Sequence, residues 1–324
     1  MRTFLNGQRL APTIAAAIED LTLQDELSSG LWEELRTQRR VQFMQALANL
    51  RAATDLHVWL TAAGFEHLFL KGPLLAHRIH GGFERRSVSD IDLLVARGAV
   101  DRVERELFAR DYKVRYGTLL GRGISRVFTH HFAYASERQT LEVHWCLVRE
   151  SGVRVDMDAV WAHRGAVDFR GASLPVPSLE TSLLIQVLGV AKDLELGSLT
   201  LRSFVDVYAL ARVLGTTFDW RSFLELLSQQ GAGRLAVVVL ELTLRLMECR
   251  AELSPLTAAV EERLDSMPRL QWDHPTMGLE VFGLQPPALR NKRILFPLHR
   301  GGASAAWAWW TLSYPFRKAV YQES

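Results

Sequence analysis

Residues 69–95 read FLKGPLLAHRIHGGFERRSVSDIDLLV, and this stretch decides the fold. Residues 65–70, FEHLFL, are short and mostly apolar, which predicts a strand. Lys71-Gly72-Pro73 follows, and proline suits the first turn of a helix, here running to about His80. Gly81-Gly82 breaks that helix, and residues 88–95 predict a second strand. Side chains at i and i+2 of a strand point the same way, so Asp90 and Asp92 share a face, about 6–7 Å apart. Two carboxylates held that close repel unless a cation lies between them. The strand then turns apolar at Leu93, Leu94 and Val95, so the acids sit at the polar end of a buried strand. A divalent-metal site is the natural use of that pattern. A solvated strand end is the bland alternative, because D-x-D is a common sequence.

Working outward, residues 11–62 have helical periodicity through Ala15, Ile18, Leu21, Leu31, Leu35, Val41, Phe43, Met44, Leu47 and Leu50. Gly64 is the expected stop of a helix over 41–63. Residues 100–110 are amphipathic and helical. Residues 126–135 and 139–148 predict a hairpin turning at 136–138, and residues 167–176 around Gly171 predict a further short one. After Pro175 and Pro177 the pattern becomes helical. Ser178 is an expected N-cap for a helix to about Lys192. More helices are expected at 200–214, 220–229, 234–249 and 256–265. The predicted fold is therefore α/β in the α+β sense: a small mixed sheet flanked by an N-terminal helical segment (1–64) and a C-terminal helical domain (178–270). The sheet core spans 65–177, and 271–324 is an aromatic-rich tail. Trp307, Trp309, Trp310, Tyr314 and Phe316 in that tail suit either packing on the body of the protein or docking to a partner or membrane face.

Composition narrows the function. The chain has 324 residues, with 48% hydrophobic, 23% charged and a net charge of +2, too small by itself to argue for nucleic acid. Cys146 and Cys249 support neither a disulfide framework nor a zinc site, and they suit a cytoplasmic protein. The first residues carry no signal-peptide pattern, and no run approaches the roughly 18 apolar residues of a membrane span.

A third acid would complete a site for a metal-bound triphosphate. Glu142, in TLEVHW, is the candidate, and His144 shares its face. With a tight turn at 136–138, Phe132 is expected opposite Glu142 and His130 opposite His144. Asp90, Asp92 and Glu142 would then bind Mg²⁺ or Mn²⁺ through hard oxygens. Lys71 and Gly72 open a helix whose free N–H groups favour an anion, and lysine adds a point charge. Arg86 suits either a fork onto phosphate or a hold on Asp90, whereas Arg85 is expected to be solvated. Lys192 and Asp206 are weaker nucleotide-binding candidates on the later helices, with a surface ion pair as the alternative. His77, His80 and His131 are scattered and predict no zinc site. His57, His67, His163, His274 and His299 are expected at the surface or satisfied internally.

The order LKG, RSVSDIDLLV, LEVHW (70–72, 86–95, 141–145) resembles the uncharacterised bacterial nucleotidyltransferase family of the polymerase-β-type superfamily. The R-x-x-x-D-x-D run is also similar to that of nucleotidyltransferase toxins of abortive-infection systems. Those toxins carry a lysine and an aspartate in a C-terminal helical part, which keeps Lys192 and Asp206 in view. The resemblance implies metal-dependent transfer of a nucleoside monophosphate from an NTP, such as ATP, to a hydroxyl acceptor. It carries metal-binding roles to Asp90, Asp92 and Glu142. One departure stands out. The superfamily's commoner Gly-Ser phosphate loop is replaced by Lys71-Gly72, 18 residues before Asp90. The acceptor is open among a peptide or protein, an RNA 3′ end and a small metabolite. The first is slightly preferred, because the basic residues form no long stripe with aromatics between them. The rivals are a non-catalytic nucleotide-binding module and transfer of another group, such as a sugar from a sugar nucleotide.

Overall fold

The computed structural model describes residues 8–116, 129–137, 139–148, 153–196 and 199–266. The Trp-rich tail, most of the 120s and the first part (126–128) of the predicted strand over 126–135 lie outside these. The chain divides into two compact units. Described residues 8–148 and 157–178 form one, and residues 153–156 and 179–266 form the other.

The first unit begins with α1 (Ala11–Asp20) and the 34-residue α2 (Ser29–Ala62). Ala11 and Ala15 of α1 pack on Leu35 near the start of α2. Farther along α2, Leu50, Ala53, Leu56 and Leu60 join the core beneath the sheet. Helical periodicity read Val41, Phe43 and Met44 as buried, but all three are exposed. The apolar stripe that meets the sheet begins only at Ala46, and at Val41 α2 lines an open groove instead.

Next come β1 (His67–Phe69), α3 (Gly72–His80), β2 (Ile91–Val95) and α4 (Val100–Phe108). Then follow β3 (Lys113–Tyr116), β4 (His131–Ala135) and β5 (Thr140–His144). The sheet order is β1-β2-β5-β4-β3. Only β2 and β5 pair in parallel; the other neighbours are antiparallel. The sheet is therefore mixed, as expected, although β3 was not foreseen. Ile91, Leu93, Val95, Phe132, Tyr134, Leu141 and Val143 lie on one face and pack with α2 and with Val100, Val103 and Leu107 of α4. The helix α5 (Met157–Ala162) leads to a separate hairpin of β6 (Arg164–Phe169) and β7 (Ala172–Pro177). Its two-residue turn, Arg170-Gly171, has φ of 51° and 82°. Positive φ at both positions is what a type I′ hairpin turn requires, and glycine takes it without strain.

The second unit is helical: α6 (Leu179–Leu196), α7 (Leu201–Leu214), α8 (Trp220–Gln229), α9 (Gly233–Leu246) and α10 (Ser254–Asp265). Asp219 caps α8 by accepting from Ser222 N–H at 3.0 Å. The helix α9 packs against the other four, and six consecutive residues, Leu235–Leu240, are buried. A helix that is apolar all round is a core helix. Among the described residues, no helix is long and apolar enough to cross a membrane.

Candidate active site

The sheet face opposite the core carries the chemistry. Because β2 and β5 run parallel, Asp92 lies directly beside Glu142 and Leu94 beside His144. Antiparallel pairing with β4 then sets Ala133 opposite Glu142 and His131 opposite His144. The expected register, with Phe132 opposite Glu142 and His130 opposite His144, is corrected by one residue. The cause is the turn. Ser136 N–H donates to the Gln139 carbonyl at 2.9 Å, so the connection between paired residues is even-numbered. That single step sends Phe132 to the core and brings His131 to the site face. His131, read as scattered, is thus a site residue that sequence reasoning missed.

His144 Nε2 lies 3.3 Å from Asp92 Oδ1 and 3.4 Å from Glu142 Oε2, and His131 Nε2 lies 3.7 Å from Glu142 Oε2. Asp92 is 8% exposed and His144 5%. These contacts are within ion-pair range but off hydrogen-bonding geometry, and both ring nitrogens of His144 are buried without a hydrogen-bond partner. Burial works against the charged imidazole, but the Asp92 and Glu142 carboxylates outweigh it and hold the His144 pKa above its ordinary value. Burial also opposes the Asp92 charge. Lys71 and His144 more than offset that, so the Asp92 carboxyl stays below the usual range. Asp90 goes the other way. Burial, with the Asp92 and Glu142 charges, pushes its carboxyl up to about 6, although Ser89 and Lys71 pull it down. Neighbouring buried carboxylates displaced in opposite directions make this cluster a candidate functional site.

The backbone frame explains the placement. Leu70 N–H donates to the Asp92 carbonyl at 3.0 Å, so the Lys71-Gly72 turn rises beside the start of β2. Gly72 has φ of 71°, and a Cβ there would stand 3.7 Å from the Asp90 carbonyl oxygen. Glycine is needed for the conformation, and the close approach brings the start of α3 against Asp90. The buried Asn49 of α2 donates from Nδ2 to the Asp90 carbonyl at 3.4 Å and accepts from Gln45 Nε2 at 2.9 Å. A lone asparagine among Ala46, Leu50 and Ala53 on the buried face of α2 was the signal for it. Gln42 Oε1 accepts from Val88 N–H at 3.1 Å.

Arg86 is buried, 5% exposed, on the segment leading to Asp90. Arg85, expected to be solvated, pairs through both terminal nitrogens with Asp20 at 2.5 and 3.0 Å. A groove of about 430 Å³ ends at Ser87, Val88 and Ser89, next to Asp90, with Arg9, Pro12, Thr37, Gln38, Val41 and Gln42 on its other walls. Lys192 on α6 and Asp206 on α7 belong to the helical unit, where Asp206 is 1% exposed. His57 and His67 are satisfied by each other. His67 donates from Nδ1 to the Phe65 carbonyl (2.8 Å), and its Nε2 accepts from His57 Nδ1 (2.9 Å).

A strand-borne carboxylate pair, a third carboxylate beside it and a lysine at a helix start suit enzymes that transfer phosphorus-containing groups. Residues 3–248 match the family model described as uncharacterised nucleotidyltransferase, and the chain belongs to that family. It is a nucleotidyltransferase, and its general activity is nucleotidyl transfer. No curated protein matches the chain. Among solved structures it is similar to an antigenic nucleotidyltransferase-like protein from Paracoccidioides brasiliensis, at 14% identity and a TM-score of 0.39. That match covers 64% of this chain and 91% of the other, and the likeness is too distant to inform residues or substrate.

Proposed function

We propose that Asp90, Asp92 and Glu142 hold divalent ions and that the enzyme moves a nucleoside monophosphate from an NTP to a hydroxyl. The observation that carries this is the side-by-side register of Asp92 and Glu142, with Asp90 close enough for both to raise its carboxyl. Hard carboxylate oxygens in this number fit Mg²⁺ or Mn²⁺. A bound divalent ion there would neutralise phosphate charge and sharpen the nucleophile.

The chain's own residues supply the rest. Lys71 adds positive charge beside the carboxylates, and Gly72 lets the start of α3 approach a phosphate. Arg86 either meets the triphosphate or steadies the segment before Asp90. The acceptor oxygen forms a bond to the α-phosphorus, the bond to the bridging oxygen breaks, and pyrophosphate leaves. Glu142 takes the hydroxyl proton. The groove at Ser87–Ser89 is large enough for a nucleoside or part of an acceptor. Lys192 and Asp206 are assigned to nucleotide binding on family resemblance alone.

We favour a cytoplasmic peptide or protein as the acceptor over RNA. Arg36, Arg39 and Arg85, on the same unit, are each paired with an acid rather than offered to a polyanion. The test is calorimetric binding of each NTP with Mg²⁺, on wild type and on Asp90→Ala/Asp92→Ala, followed by product mass. Metal-dependent binding lost in the variant, and an acceptor gaining one nucleoside monophosphate, support the proposal. A gain matching a hexose or a bare phosphate refutes it.

A further inference from the structure

We infer that His131 and His144 make one ion position in this cluster a mixed nitrogen–oxygen site for a borderline transition metal of the Zn²⁺/Co²⁺ kind, not one for Mg²⁺. This rests on the proposal that Asp92 and Glu142 are metal ligands, and it adds the imidazoles and the metal class.

Three observations carry it. The first is the spacing of donor atoms. A four-coordinate ion with bonds of about 2.0–2.1 Å has ligand–ligand edges of about 3.3–3.4 Å. The separations are 3.3 Å (His144 to Asp92), 3.4 Å (His144 to Glu142) and 3.7 Å (His131 to Glu142). Octahedral Mg²⁺, with similar bonds, has edges nearer about 2.9–3.0 Å. The ligand atoms of Asp92, Glu142 and His144 all lie within 4.8 Å of one another and form the primary donor set; those of His130, His131 and His144 form a second such group, from which His131 reaches the first through Glu142.

The second is the orientation of the rings. His131 and His144 stack with centroids 4.8 Å apart and planes 30° apart, and the Nε2 atoms of both face Glu142 Oε2. Cross-strand pairing of the two residues imposes this. The third is His144 itself, which is buried, with Nδ1 lacking a hydrogen-bond partner and Nε2 held against Asp92 and Glu142 as an ion pair off hydrogen-bonding geometry. Coordination through Nε2 would give that nitrogen the directed bond that its ion-pair contacts lack.

Donor chemistry then selects the ion. Imidazole suits zinc and its first-row neighbours, whereas Mg²⁺ prefers oxygen and keeps its water. The Asp90 side of the cluster, which has carboxylates and no imidazole in the groups above, remains the place for a hard ion that accompanies a triphosphate. The competing arrangement is a protonated His144 that bridges two carboxylates without any metal.

Co²⁺ titration of the chelator-treated full-length protein, followed by visible absorption, separates the two. The expected result is one equivalent of Co²⁺ giving the intense bands of a low-symmetry four-coordinate ion. Equimolar Zn²⁺ should displace it and excess Mg²⁺ should not. His144→Gln should weaken Co²⁺ binding by more than the roughly 100-fold seen for residues that only orient a ligand. His131→Gln should shift the bands toward those of an oxygen-rich site, and His163→Gln should change nothing. Circular dichroism checks each fold. Should His144→Gln fail to fold, the wild-type and His131→Gln spectra decide. A weak octahedral spectrum that ignores both histidine variants, with Mg²⁺ competing equally, overturns the inference and leaves the carboxylate site standing. Absence of any divalent-ion binding, with NTP present or absent, overturns both.

Discussion

Replacing Asp90 with asparagine should stabilise the metal-free protein at pH 8 while weakening its metal binding. The Asp90 carboxyl stands at about 6 instead of 3.8, mainly through burial and the Asp92 and Glu142 charges. Each tenfold change in proton affinity is worth about 1.4 kcal/mol, so ionising Asp90 costs the folded protein at most about 3 kcal/mol. The sign follows from proton counts. The folded state holds this proton more tightly than the unfolded chain does. It is therefore favoured below pH 3.8, and that preference is lost as pH rises through about 6. Asparagine removes the charge and with it the high-pH cost. The expected gain is about 1–3 kcal/mol at pH 8, roughly 3–6 °C in Tm for a chain of this size, and nothing at pH 4. Thermal melts in chelator at the two pH values measure it. Saturating Mg²⁺ should narrow or invert the difference, because wild type gains about 2.7 kcal/mol at 100 times its Kd and the variant gains less. A variant no more stable than wild type at pH 8 in chelator would refute the picture of three mutually repelling carboxylates.

Other outcomes follow from single contacts. Asp92→Asn or Glu142→Gln should cut turnover by at least about 10³-fold with the melting curve preserved, read by radiolabelled nucleotide transfer. Gly72→Ala should destabilise by about 1–2 kcal/mol through its positive φ, with no clash, since the added carbon sits 3.7 Å from its neighbour; denaturant titration measures it. The His57–His67 pair should make folding acid-sensitive. Burial lowers the pKa of both, so the folded protein binds fewer protons and stability falls as pH drops below 6.5. A His57→Phe/His67→Phe double variant should lose that part of the pH slope. Val41→Trp should obstruct the groove and raise KM at least about tenfold at unchanged Tm.

Part of this site was open to reading and part was not, for reasons that lie in chain geometry. The i, i+2 rule is local, so Asp90 with Asp92 and Glu142 with His144 followed from residue spacing alone. Apolar runs placed β1, β2, β4 and β5 to within a few residues, and each helix of the second unit was foreseen within four residues of its observed bounds. The strand β3 escaped because Lys-Val-Arg-Tyr is short and barely apolar, and its pairing with β4 even carries an irregularity after Val114. The parallel match of Asp92 to Glu142 joins residues 50 apart in sequence and has no local signal.

The histidines show how narrow the margin is. Whether His130 or His131 reaches the carboxylates depends on the parity of one turn, and the parity depends on where Ser136 finds its partner. A turn of three residues would have sent Phe132 and Tyr134 into the polar cluster and His131 into the core, burying an imidazole beside Leu141 and Val143. The observed turn gives every one of these side chains a compatible neighbour. The hydrophobic face and the carboxylate face are thus set by the same register, and a mutation that slips it by one residue must damage folding and the candidate site together. Asn49 is the way to separate the two effects. It touches the site only through the Asp90 carbonyl, so Asn49→Ala should leave the register intact and cost about 1 kcal/mol in stability. The segment carrying Asp90 would be less firmly held, and metal affinity should fall more than stability does. Equal loss of both, or of neither, would mean that Asn49 serves the core and not the site.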